Sequence, residues 1–331
     1  MSNQKSKIKN QSLSGASIRT IFMGTPDFAV PSLDAILTLP YLEIVGVFTQ
    51  PDRPVGRNQE LRESAIKKTA TAKGLPVFTP HRLRDADTIE LIKTLAPDLI
   101  VVVAYGQIVP QAILDLPRFR TINVHGSLLP KYRGASPIQA AIAAGESETG
   151  VTIMLMDALL DHGPILTQEK IPIAPRETGE SLFEKMAPIG AALLAKTISA
   201  WIAGDLQPIE QNHTLATATK ILTRENGRID WNESATTLER KVRAYHPWPG
   251  TWTVWNRTGK PLRLNIIQSR VNEFNDARTP GAVFKTPTGC AVACAEGALE
   301  LEIVKLEGKK ETPLSEFLNG YPDFVGSVLD K

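Results

Sequence analysis

From Ile18 onward, short and almost wholly apolar runs alternate with stretches whose apolar residues return every three or four positions. Unbroken or alternating apolar runs predict strands, and a period near 3.6 predicts helices. Strands are expected at I-R-T-I-F-M (18–23), E-I-V-G-V-F-T (43–49), P-V-F (76–78), D-L-I-V-V-V-A (98–104), T-I-N-V (121–124), V-T-I-M-L-M (151–156) and I-L-T-Q-E-K-I-P-I (165–173). A helix is expected to open at Pro31. Others are expected over Ser64–Lys73, Asp85–Leu95, Pro137–Ala144 and Ser181–Ala203, the last kinked at Pro188. Leu99–Val103 has no polar position, which suits a central parallel strand covered on both faces. This alternation builds an α/β, doubly wound, Rossmann-like sheet of about 200 residues.

The pattern changes after Ala203. Residues 204–218 are polar with little periodicity and read as a linker. Beyond it, S-A-T-T-L-E-R-K-V-R-A-Y places Leu238 and Val242 on one helical face. Short strands follow, with turns at Gly259, Pro280, Gly289 and Gly297, the spacing of a small OB-like β-barrel. The expected organisation is a tail (1–17), a catalytic domain (18–203), a linker (204–218) and an OB-like domain (219–331). The tail is polar and lysine-rich, lacks the apolar core of a signal peptide, and carries no arginine for a transit peptide. It is expected to be disordered, and no apolar run is expected to span a bilayer. A net charge of +2 permits an anionic partner without requiring one. The two cysteines, in C-A-V-A-C, lack the spacing of a redox or zinc motif and are expected to be inert, partly buried thiols.

Chemistry concentrates between Asn123 and Asp161. Asn123 and His125 leave a strand two residues apart, so their side chains share a face. Asp161 follows another apolar strand and precedes a Gly-Pro turn. An amide donor for an oxyanion, an imidazole base and an orienting carboxylate suit acyl transfer to an amine. The turn Met23–Phe28 sits where a dinucleotide fingerprint would lie. It lacks G-x-G-x-x-G and has a proline where a phosphate needs a backbone donor. Ile108 and Val109 fit either core packing or the wall of a flat pocket. The loop Gln50–Leu61 carries Arg53 and Arg57, which are either solvated or grip phosphate. Lys220, Arg240, Lys241, Arg243, Lys260, Arg263, Lys309 and Lys310 are singly structural or jointly a nucleic-acid surface. No metal-binding spacing appears.

Taken together, these segments resemble the methionyl-tRNA formyltransferase family, from Ile18 to about Lys310. The likeness rests on H-G-S-L-L-P-K-Y-R-G-A-S-P-I-Q, the L-D-H-G turn, G-T-P-D-F, Q-P-D-R-P-V-G-R, G-R-I-D-W and P-W-P-G. The first two belong to a wider superfamily that uses 10-formyltetrahydrofolate. The resemblance implies that Asn123, His125 and Asp161 are the catalytic triad. It implies a folate pocket at Ile108, Val109, Ser127, Leu128, Leu129, Pro130, Asp157 and Leu160. Phe28 falls where the methionyl end is expected, and Arg53, Arg57, Lys220 and Arg243 are the tRNA candidates. The implied reaction moves a formyl group from 10-formyltetrahydrofolate to methionyl initiator tRNA, in a monomer without metal or membrane. The implied setting is bacterial cytoplasm, or an organellar matrix in a eukaryote. Two departures stand out: Gln59 and Glu60 replace a lysine pair, and M-D-A-L-L-D replaces M-D-E-G-L-D. The rival readings are a sugar-nucleotide N-formyltransferase, a formyltetrahydrofolate hydrolase and an inactive RNA-binding module.

Overall fold

The computed structural model describes residues 17–55, 60–273 and 278–330. Arg57, Gln59 and the tail up to residue 16 lie outside the described residues. In chain order the first elements are β1 (Ile18–Gly24), α1 (Val30–Leu37), β2 (Leu42–Phe48), β3 (Arg53–Val55), β4 (Glu60–Arg62), α2 (Ala65–Ala72) and β5 (Val77–Phe78). Next come α3 (Ala86–Thr94), β6 (Leu99–Val103), α4 (Gln111–Leu114), β7 (Thr121–His125), β8 (Arg133–Gly134), α5 (Pro137–Ala144), β9 (Glu148–Leu155), β10 (Ile165–Pro172) and α6 (Gly179–Ala203).

Seven strands form one sheet in the order β10-β9-β7-β6-β1-β2-β5. The five from β5 to β7 are parallel, whereas β9 runs antiparallel to β7. The sheet is therefore mixed rather than wholly parallel. Its direction changes where the expected strand V-T-I-M-L-M pairs back on T-I-N-V. All five residues of β6 are buried, as its unbroken aliphatic run requires. β1 lies between β2 and β6, so strand order reverses there and leaves a crevice at the carboxyl ends of those strands.

By length and composition α6 is apolar enough to cross a membrane, contrary to the expectation that no run is. Its buried positions nonetheless form one stripe that includes Leu182, Met186, Ala187, Ala191, Leu194, Thr197, Ile198 and Trp201. Glu184 and Lys196 are exposed on the other side. A stripe of this kind marks a helix laid on a core.

Contacts divide the chain into two compact units. One comprises residues up to Gly134, Thr149–Ile171 and Phe183–Ala218; the other comprises Ala135–Glu148, Pro172–Leu182 and Thr219 onward. The stretch 204–218 is not a bare tether: Ile209 bridges Ile165 in β10 through two backbone hydrogen bonds of 2.8 and 2.9 Å, and Gln211 is buried.

The chain continues with β11 (Ala218–Thr219) at the boundary, and the second unit with α7 (Ala235–Ala244), β12 (Thr251–Arg257), β13 (Lys260–Asn272), β14 (Val283–Thr286), β15 (Gly289–Ala293) and β16 (Ala298–Leu306). It ends with β17 (Thr312–Pro313), α8 (Leu314–Gly320) and β18 (Leu329–Asp330). Its antiparallel sheet runs β14-β15-β16-β13-β12-β18. The sheet closes on itself, because Leu329 N–H donates to Gly281 O at 2.8 Å and Val283 N–H to Ser327 O at 2.9 Å. Trp231, Trp255, Phe317 and Phe324 fill its interior with Leu238 and Val242 of α7. α5 packs on α7 within this unit, although the two are far apart in sequence. Cys290 and Cys294 are free and buried, and burial pushes both thiols up to about 12. Neither is a thiolate at neutral pH.

Glu300 gathers a cluster of charge-assisted contacts in the barrel. It is 5% exposed and takes a two-point grip from Arg270 at 3.0 and 3.1 Å, with Asn272, Thr286 and Thr288 also donating. The Arg270 guanidinium leads these donors in pulling the Glu300 carboxyl from 4.5 down to about 2. A lowered carboxyl stabilises the fold above its unfolded value and ceases to do so as pH falls through the folded one. The shift corresponds to at most on the order of 3 kcal/mol at neutral pH, reduced because solvent screens Arg270, whose side chain is 47% exposed. Glu300→Gln is therefore expected to be less stable than wild type by that order at pH 7, with the gap closing between pH 4.5 and 2. Urea titrations across that range test this; a gap that stays constant with pH would refute it.

Candidate active site

β7 ends in Asn123-Val124-His125, and all three are buried. Because β9 runs antiparallel to β7, Leu155 lies opposite Ile122 and the chain leaves β9 at the far end from His125. The loop Met156–Leu160 then brings Asp161 back beside Asn123 and His125. Asp161 sits at φ 48°, a left-handed conformation that aspartate tolerates better than most residues. Its Oδ2 accepts the Gly134 N–H at 2.8 Å and its Oδ1 accepts Asn123 Nδ2 at 3.4 Å. His125 Nδ1 lies 3.6 Å from Asp161 Oδ2, close enough for charge attraction though long for a hydrogen bond.

The proton on the imidazole can be placed by its partners. His125 Nε2 is 2.9 Å from the carbonyl oxygen of Tyr132, which only accepts. Nε2 therefore carries hydrogen, which leaves Nδ1, on the Asp161 side, as the nitrogen that can gain or lose a proton. A proton arriving at Nδ1 makes an imidazolium directly against that carboxylate. Asn123 uses one amide N–H on Asp161 and has a second to donate.

Glycines shape the frame. A Cβ at Gly163 would meet Leu155 O at 2.1 Å, and one at Gly150 would meet Glu169 O at 2.2 Å. Gly163 is the glycine of the L-D-H-G turn, so that motif is a requirement for close backbone approach. Beside the triad, Ser127 donates to Lys131 O at 2.6 Å, and Leu129 N–H donates to Thr152 Oγ1 at 3.1 Å. These bonds hold the segment Ser127–Pro130, with Leu129 buried and Leu128 and Pro130 partly open.

Known proteins show the family. Residues 18–198 match the formyl transferase family, and 221–322 match its C-terminal domain. A methionyl-tRNA formyltransferase of Roseiflexus castenholzii is 42% identical over 304 residues, covering 92% of this chain and 96% of the relative. One from Alkaliphilus oremlandii is 41% identical over 314 residues, covering 94% and 99%. The chain belongs to the methionyl-tRNA formyltransferase family. Its fold is also that of the sugar 3N-formyl transferase WlaRD, with TM-score 0.60, 20% identity, and coverage of 89% of this chain and 100% of that one. HypX of Aquifex aeolicus, solved with tetrahydrofolic acid, gives TM-score 0.59, 19% identity and coverage of 94% and 48%.

Within this family fold, the other expected site residues separate. Ile108 is 86% exposed and Leu160 68%, whereas Val109 is buried in the core with Tyr105 and Ile113. Asp157 is half-buried and held by His162 Nδ1 at 2.7 Å and by Leu159 N–H at 2.9 Å. Phe28 is buried against Phe183, with ring centroids 5.1 Å apart, so it packs the core rather than facing an open subsite. Arg243 is also committed: Glu239 holds its guanidinium at 2.6 and 3.0 Å, and it donates to Glu177 O at 2.9 Å. That fork is not open to a phosphate. Lys220 is exposed.

Arg53 lines a cavity of about 290 Å³ at the crevice beside β1, together with Thr25, Gln50, Arg62, Ser64 and Gly106. Arg53 donates to Gln50 Oε1 at 3.1 Å, and Arg62 is its register partner across the β3–β4 hairpin. Sequence reasoning missed Arg62, and it missed the buried Gln211, since neither stands in a recognisable motif.

Proposed function

We propose that this chain transfers the formyl group of 10-formyltetrahydrofolate to the α-amino group of methionyl initiator tRNA. The observation that carries the chemistry is His125, with Nε2 tied to Tyr132 O and Nδ1 facing the Asp161 carboxylate beside the Asn123 amide. Relatives of nearly equal length bearing that name support the tRNA as acceptor.

The unprotonated amine attacks the formyl carbon and forms the new C–N bond. Negative charge gathers on the formyl oxygen, and the second N–H of Asn123 donates to it. Nδ1 of His125 takes the proton from the amine nitrogen, and Asp161 stabilises the imidazolium. The bond to folate N10 then breaks, with the proton returned to N10. Exposed Ile108 and Leu160 suit the faces of a flat heterocycle, and Ser127–Pro130 forms a wall beside it. Arg53 and Arg62 supply guanidinium forks suited to phosphodiesters of the acceptor end.

The test is a formyl-transfer assay with 10-formyltetrahydrofolate. Methionyl initiator tRNA, uncharged tRNA and a 4-amino sugar nucleotide are the acceptors. Formylmethionyl-tRNA as the product is expected. Formyl sugar or free formate in its place would overturn the tRNA assignment and keep the folate chemistry.

A further inference from the structure

We infer that Gln211 is a positioning residue for the reaction: its amide sets the backbone of the Asp161 turn and so holds the carboxylate beside His125. The inference rests on the catalytic reading of Asp161 given above.

Gln211 lies in the polar stretch that separates the two domain-like sequence regions, yet it is 5% exposed. Its Nε2 donates to Asp161 O at 2.9 Å and to Gly163 O at 2.7 Å. Its Oε1 accepts from Arg133 Nε at 3.2 Å and from Arg133 Nη2 at 2.7 Å. Two donors and two acceptor sites are thus all used, and a buried amide with every bond made has one orientation. Both donors go to carbonyls on either side of His162. They bracket the turn that must keep Asp161 at φ 48°. A residue in that region persists only when its surroundings over-determine it.

The arrangement closes a ring. Gly134, next to Arg133, grips the Asp161 carboxylate through its N–H, while Gln211 grips the Asp161 backbone and Arg133 grips Gln211. Arg133 Nη2 also meets His213 Nδ1 at 2.8 Å, and the His213 ring stacks on His162 at 4.1 Å. The carboxylate's contacts with Asn123 at 3.4 Å and His125 at 3.6 Å are long and hold it weakly. Its position is therefore set by the Gly134 N–H and by its own backbone, which Gln211 holds. A shift of about 1 Å at a reacting group can cost about 100-fold in rate.

Two variants separate this from a merely structural role. Gln211→Met keeps volume and loses all four bonds, and Gln211→Glu keeps the Arg133 contact and loses both donors to the turn. Each is expected to lower kcat about 10- to 100-fold, with KM for both substrates within about twofold of wild type. The cost should vanish in an Asp161→Ala background, because Gln211 acts only through Asp161. Gln211→Glu carries the test should Gln211→Met not fold. Unchanged kcat in the folded single variants overturns the inference. So does a kcat loss that persists undiminished in the Asp161→Ala background. Near-full activity of Asp161→Ala would sink the catalytic reading and this inference together, whereas its inactivity beside fully active Gln211 variants sinks this inference alone.

Discussion

Replacing His125 with glutamine is expected to lower kcat for formyl transfer by about 10² to 10⁴, with a melting temperature near that of wild type. Glutamine carries an N–H donor that can still serve the Tyr132 carbonyl, the partner of His125 Nε2. It has no titratable nitrogen to replace Nδ1. Alanine is the less informative change, because it also removes the Nε2 donor from the Tyr132 carbonyl. Asn123→Ala removes the proposed oxyanion donor and is expected to cost about 10² to 10³. Single-turnover rates with saturating formyl donor measure both. A His125→Gln protein that turns over at about a tenth of the wild-type rate or better would take the imidazole out of the proton transfer.

Gly163→Ala is expected to damage stability and catalysis together. The added methyl would lie 2.1 Å from Leu155 O, a backbone atom of β9. Leu155 cannot easily retreat, since it is paired with Ile122 and its N–H donates to Pro164 O at 2.9 Å. The turn must move instead, and it carries both Asp161 and a carbonyl held by Gln211. Overpacking of this kind costs about 1–3 kcal/mol. The displacement of Asp161 is expected to cost about 100-fold in kcat. Thermal melts and kcat of the purified variant check the two effects. A fall in Tm with unchanged kcat would show that Asp161 is placed independently of this turn.

Much of this was legible from local pattern. The aliphatic run Leu99–Val103 announced a central strand because a strand covered on both faces has no polar position to show. The two-residue spacing of Asn123 and His125 fixed their common face before any partner was known. Other features depend on pairings that no local window contains. Nothing in V-T-I-M-L-M tells that it pairs antiparallel with T-I-N-V, and that direction is what brings Asp161 back by a loop. Arg243 was open to a structural role or a nucleic-acid one, and the Glu177 carbonyl that helps to fix it lies 66 residues away. Gln211 read as a linker residue because polar composition does not distinguish a solvated amide from a saturated one. Phe28 stood at the right turn for a substrate lip, yet Phe183, far along the chain, buries it.

The pairing of α5 with α7 has a consequence in time. The two helices belong to one unit, and α7 ends at Ala244, one hundred residues after α5 ends at Ala144. Synthesis at about 5–20 residues per second puts about 5–20 s between them. During that interval the apolar side of α5, with Ile138 and Ile142, has been made and its cover has not. A nascent chain at that length offers a sticky helix to any holdase near the ribosome exit. A gene cut within 204–218 would fix the chain permanently at that stage, so the two halves are better dissected by moving α5 with the barrel than by severing the stretch between them.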